Sequence, residues 1–278
     1  MPARPLGPDR GPGYVQPMLE GYERSTFTHD GTTRDVFRTG SGPAVIVIHE
    51  VPGLTPEVAA FGRRVAAIGC SAHLPSLFGV PGKPVGIPYV IQSLAHGCVS
   101  KEFATWATGR TSPATSWLRA LARAAHAECG GPGVGAVGMC LTGGFALAMA
   151  VDPTVVAPVL SQPSLPFALS ARHKADVGVG ADDLAAVVKR TRDDDLCTIG
   201  LRFTCDKLVP AERFETLRRA LGDGFLGVEI DSSPGNPHDI PKHAHSVLTM
   251  DLQDEPGHPT SDALQLVLDH LRTRLLDR

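Results

Sequence analysis

The chain has 278 residues, 42% of them apolar and 20% charged, with a formal net charge of −3. That is the balance of a soluble protein with a sizeable core. Lys and Arg are scattered, which argues against a nucleic-acid partner, and the longest apolar runs, such as residues 44–48, fall far short of the roughly 20 residues a bilayer span needs.

Residues 1–20 are rich in Pro and Gly and carry no apolar stretch of the secretory-leader type. They read as an N-terminal arm, and residues 21–278 as one domain in a reducing cytoplasm. Cys70, Cys98, Cys129, Cys140, Cys197 and Cys205 form no C-x-x-C pair, so neither a zinc ribbon nor a thioredoxin-type motif is indicated.

In chain order, residues 24–28 and 35–38 read as strands around an Asp30-Gly31 turn. Residues 44–49 form a β-branched run suited to a central strand. Thr55 and Pro56 then start a helix with Val58, Phe61, Val65 and Ile68 on one face. Residues 70–74 are a short strand. A Gly-, Pro- and Ser-rich excursion around residues 76–116 follows, with a short helix expected near 90–94.

Leu118, Leu121, Ala122 and Ala125 mark an amphipathic helix. Strand 133–139, helix 143–150, strand 155–160, a helix near 182–190 and strand 198–203 come next. Pro210 opens a helix, residues 225–230 are a strand, and Leu264, Val267, Leu268, Leu271 and Leu275 stripe a last helix. Strands alternating with helices predict an α/β protein: a mostly parallel sheet covered on both faces.

Val137-Gly138-Met139-Cys140-Leu141-Thr142-Gly143-Gly144 falls where a strand ends and a helix begins. A nucleophile elbow requires that place: a side chain on a tight turn, small flanking residues, and helix N–H groups facing the oxyanion. A buried cysteine in a Gly-rich turn is the plainer reading of these residues alone. The glycines of residues 133–138 match G-x-G-x-x-G, but they lie within the strand and do not open a helix, so no dinucleotide site is expected.

Asp206 follows a central strand and is a candidate for the acid that orients a base. His243 and His245, after the last strand, are both candidates for that base. A zinc site using the same histidines would need a third ligand from a recognisable motif, and H-E-x-x-H is absent. His238 reads as a loop histidine.

These residues resemble the dienelactone hydrolase family, whose members have the α/β-hydrolase fold and a Cys-His-Asp triad. The likeness runs from about Thr33 to the last helix. It implies Cys140 as nucleophile, Asp206 as acid and His245, within Ala244-His245-Ser246, as base. Ile48-His49-Glu50-Val51-Pro52-Gly53 is similar to the family's Q-E-I-F-G stretch. By that match Glu50 contacts the resting nucleophile, and the N–H groups of Val51 and Leu141 form the oxyanion hole.

The expected activity is hydrolysis of a small ester or lactone through a thioester, without cofactor or metal. A redox- or ligand-sensing module is the alternative. Monomer and homodimer both stay open. Thr142 replaces an elbow glycine, and the two arginines that bind a substrate carboxylate in the family's namesake match Val80, beside Phe78, and Thr249. Lys101 and Arg110 in the excursion are candidates for a replacement cation, though solvated side chains are their plainer role.

Overall fold

The computed structural model describes residues 19–86, 89, 112–165 and 170–277. Lys101, Arg110, the helix expected near 90–94 and nearly all of the N-terminal arm lie outside them.

The chain opens with β1 (Glu23–His29) and β2 (Thr32–Gly40), joined at Asp30 and Gly31. Both turn residues have positive φ, 47° and 73°, the pair of left-handed residues a two-residue hairpin of this twist requires. The parallel strands are β3 (Ala44–Ile48), β4 (Ser71–Pro75), β5 (Val134–Met139), β6 (Val155–Ser161), β7 (Thr198–Phe203) and β8 (Phe225–Ile230). With β1 and β2, which run antiparallel, they form among the described residues one eight-stranded sheet in the order β1-β2-β4-β3-β5-β6-β7-β8. The order reverses around β3 and β5, where such sheets open a crevice at their carboxyl ends.

The helices are α1 (Pro56–Ala67), α2 (Pro113–Cys129), α3 (Gly143–Met149), α4 (Ala171–Ala175), α5 (Ala181–Asp193), α6 (Ala211–Leu221) and α7 (Pro259–Leu275). Alternation along β3 sorts them. Val45 and Val47 pack with Val58, Phe61, Val65, Leu264 and Val267 of α1 and α7. Ile46 and Ile48 pack with Leu118, Leu121, Phe145 and Phe214 of α2, α3 and α6. A strand buried on both faces reads as an unbroken apolar run, as residues 44–48 do. This arrangement is the α/β architecture that the alternation of strands and helices predicts, a mostly parallel sheet covered on both faces.

Two boundaries differ from the sequence reading. The excursion ends earlier than residue 116, because Ser112 caps α2 by accepting from Thr115 N at 3.1 Å and Pro113 supplies its first turn. Pro210 stands outside α6 as its N-cap. The short α4, with no buried residues, left no apolar periodicity to read.

Candidate active site

Cys140 directly follows β5 and has φ +56°, a left-handed conformation that a non-glycine residue adopts at a cost of about 1–3 kcal/mol. The turn is held by close packing on both sides. A Cβ on Gly138 would meet Thr142 O at 2.3 Å, and one on Gly143 would meet Pro163 at 2.7 Å. Glycine is therefore required at both positions.

Thr142, where the family pattern has glycine, ties the turn together. Its hydroxyl accepts from Met139 N at 2.9 Å, and its one proton has three acceptors in reach, Met139 O at 2.8 Å, Ile48 O at 2.9 Å and His49 O at 3.2 Å. The elbow is thus fastened to the end of β3. The Cys140 carbonyl accepts from Ser164 N at 3.0 Å, and its Sγ lies 3.1 Å from Ser164 Oγ.

Asp206, three residues beyond β7, is buried; its Oδ1 accepts from Leu208 N at 2.9 Å and its Oδ2 pairs with His245 Nδ1 at 2.6 Å. His245 sits in a loop fixed by Asp251, whose Oδ2 accepts from the backbone N–H of both His245 and Ser246 at 2.8 Å. Burial opposes a charge on His245. The neighbouring sulfur of Cys140 and the hydrogen bond and charge of Asp206 outweigh it, and the imidazole pKa rises well above 6.5. Nδ1 is engaged by Asp206, which leaves the buried Nε2, on the other side of the ring, for the sulfur or a substrate. That nitrogen is free to exchange a proton with sulfur or substrate. His243, by contrast, is exposed.

Buried Arg213 of α6 braces these loops from below. It donates to Pro163 O at 2.7 Å, beside Ser164, and to Leu208 O at 3.1 Å, beside Asp206. Neither it nor Ser164, Gln162 or Asp251 belongs to a short motif, so pattern reading missed them all.

Glu50 is the buried carboxylate at the end of β3. Ser246 Oγ donates to its Oε2 at 2.7 Å, Gln162 Nε2 at 3.2 Å, and Thr249 Oγ1 donates to its Oε1. Desolvation raises its pKa, although these neutral donors and the charge of His245 pull the other way. Among the described residues Glu50 makes no hydrogen bond with Cys140, and its two oxygens accept from these three side chains instead. Thr249 is thereby a partner of Glu50. The amide hydrogens of Val51 and Leu141 have no acceptor among the described residues, which leaves both able to bind an oxyanion.

An open depression of about 530 Å³ adjoins His245 and Asp206, with Cys205, Leu208, Lys207, Lys242 and the exposed His243 also in its wall. Phe78 and Val80 are not among the described residues that line it. The Phe78 ring stands edge-on to His49 at 4.5 Å, and Val80 is 46% exposed. Among the described residues no cluster of three His, Cys, Asp or Glu side chains could hold a metal, and no helix is long and apolar enough to cross a membrane.

A model of the dienelactone hydrolase family matches residues 34–272. No curated protein matches the chain. Among solved structures, a Klebsiella pneumoniae protein named as a dienelactone hydrolase is 20% identical, with 89% of this chain and 96% of that one covered and a TM-score of 0.57. A dienelactone hydrolase-like promiscuous phosphotriesterase from metagenomic libraries is 16% identical, covering 91% and 98%, with a TM-score of 0.58. A cold-adapted esterase from an Arctic intertidal metagenomic library is also 16% identical, covering 91% and 94%, with a TM-score of 0.53. At these identities the likeness establishes the shared fold.

Proposed function

This chain belongs to the dienelactone hydrolase family, and we propose that it hydrolyses small carboxylic esters or lactones through an acyl group held as a thioester on Cys140. The observation that carries this reading is the 2.6 Å contact of Asp206 with His245 Nδ1, which leaves Nε2 for the left-handed Cys140 of the elbow.

With the imidazole protonated and the sulfur as thiolate, Sγ attacks the substrate carbonyl carbon, and its oxygen takes the negative charge. The N–H groups of Val51 and Leu141 stabilise that oxygen. As the tetrahedral adduct collapses, the bond to the leaving oxygen breaks and His245 gives that oxygen its proton. Neutral His245 next takes a proton from water, whose oxygen attacks the thioester. Collapse of the second adduct releases the acid and returns the thiolate–imidazolium pair. A redox or ligand sensor built on Cys140 would need no Asp–His pair, so the hydrolase is the better reading.

The acyl group is proposed to be neutral. Thr249 donates its hydroxyl to Glu50 and Val80 faces solvent, so neither stands in for a carboxylate-binding arginine, and a charged acyl group would meet no bidentate cation at these two positions. A panel of p-nitrophenyl esters and lactones, assayed with and without iodoacetamide, tests the activity. Turnover abolished by alkylation supports the reading, and alkylation-insensitive turnover contradicts it.

A further inference from the structure

We infer that His49 is a positioning residue of the oxyanion hole: its ring fixes the peptide plane from which the Val51 N–H points. The inference rests on the ester-hydrolase reading above and adds a residue with no place in the triad.

The ring is fully buried and both its nitrogens are satisfied. Leu77 N donates to Nε2 at 3.0 Å, and Nδ1 lies 2.9 Å from Glu50 O. These partners settle the tautomer. A backbone N–H can only donate, so Nε2 is the bare nitrogen; a carbonyl can only accept, so Nδ1 carries the hydrogen. Burial lowers the imidazole pKa to about 4, so this arrangement is unchanged across the neutral range. Phe78, edge-on at 4.5 Å, holds the ring in place.

The hydrogen bond therefore orients the carbonyl of Glu50. In a planar trans peptide the carbonyl and the following N–H point in opposite directions. Holding Glu50 O against the buried ring turns Val51 N–H the other way, where it meets no acceptor among the described residues. The same stretch packs against the elbow: Thr142 Oγ1 lies 2.9 Å from Ile48 O and 3.2 Å from His49 O. Thr142 is the residue after Leu141, which carries the other donor. His49 and Thr142 thus set the two amides relative to each other before substrate arrives, and electrostatic stabilisation of this kind depends on that preorganisation.

The test separates oxyanion stabilisation from the reactivity of the thiolate. Acylation of Cys140 by p-nitrophenyl acetate places charge on a carbonyl oxygen. Alkylation by iodoacetamide does not, because sulfur displaces iodide from a saturated carbon. Both rates are measured for wild type, His49→Leu and His49→Asn, together with Tm. The Asn amide reaches where Nδ1 sits and donates to Glu50 O, but leaves Leu77 N unpaired.

His49→Leu is expected to acylate about 10²–10³-fold more slowly, the loss typical of one oxyanion donor, while alkylation stays near the wild-type rate. His49→Asn should recover most of the acylation rate although its Tm falls below that of wild type. Should the Leu variant not fold, the Asn variant decides: lowered stability with retained acylation supports the inference, and a large selective loss of acylation overturns it. Equal loss of both reactions in His49→Leu, or wild-type acylation there, also overturns it. A wild-type protein that is alkylated at Cys140 yet acylated by no ester overturns the hydrolase reading itself, and this inference with it.

Discussion

Replacing Thr142 by Val removes one hydroxyl from the elbow at nearly constant volume. In the structure that hydroxyl satisfies the N–H of Met139 at 2.9 Å and reaches Ile48 O at the same distance; Thr142 is fully buried. A buried N–H left without an acceptor costs about 1–3 kcal/mol, and a lost hydrogen bond to a carbonyl that keeps other partners about 1 kcal/mol. The sum is about 2–4 kcal/mol. At an unfolding entropy of about 2.1 cal/mol/K per residue, a chain of this length melts about 3–7 °C lower. Thermal melts followed by circular dichroism measure this directly. Acylation should fall alongside stability, because the hydroxyl also fastens the segment that carries Val51. A variant that melts within about 1 °C of wild type would refute the view that Thr142 is a structural tie.

Further outcomes are expected. His245→Ala should lower kcat by about 10³-fold or more, since triad members act as a unit, whereas His243→Ala, with an exposed side chain, should change it little; a reversed order would move the base to His243. For a carboxylated lactone and its methyl ester, kcat/KM should favour the ester. A preference for the free acid would contradict the neutral-acyl proposal, and Lys207 and Lys242 of the depression beside His245 are the cations to mutate in that event.

Stability should also respond to acid through buried neutral imidazoles. Burial lowers the pKa of His49 and of His73 to about 4. The unfolded chain, titrating near 6.5, therefore binds protons that the folded chain refuses, and stability is lost as pH falls from about 6.5 toward 4, by up to about 1.4 kcal/mol per pH unit for each histidine. His245 has the opposite sign, its raised pKa making its contribution fade as pH rises through it. Urea midpoints at several pH values, for wild type and His73→Gln, check this. An unchanged slope in the variant would contradict it.

The parallel strands were legible because a strand buried on both faces must be an uninterrupted apolar run, and residues 44–48 are one. The elbow was legible because its geometry admits only glycine at 138 and 143, and the glycines stand in the sequence. Ser164 and Gln162 were not. They reach the site by topology, since β6 ends beside β5 in the sheet, and no spacing in the chain records that neighbour. The partners of Glu50 escaped for the same reason: Ser246 and Thr249 lie nearly 200 residues away. Thr142 read only as a replacement of the elbow glycine, because a motif match cannot see that its hydroxyl fits between Met139 N and Ile48 O. The excursion could not be divided because Gly and Pro punctuate it without a period, and only the cap at Ser112 fixes where it ends.

The central claim is that Cys140 carries the acyl group. Rapid mixing of the protein with p-nitrophenyl butyrate, acid quench and peptide mass analysis test it directly. The account predicts a butyryl adduct on the peptide containing Cys140, released by hydroxylamine and absent from Cys140→Ala, which should also have lost nearly all turnover. Butyrate release by Cys140→Ala at the wild-type rate, or an adduct on another residue that turns over kinetically, would contradict it.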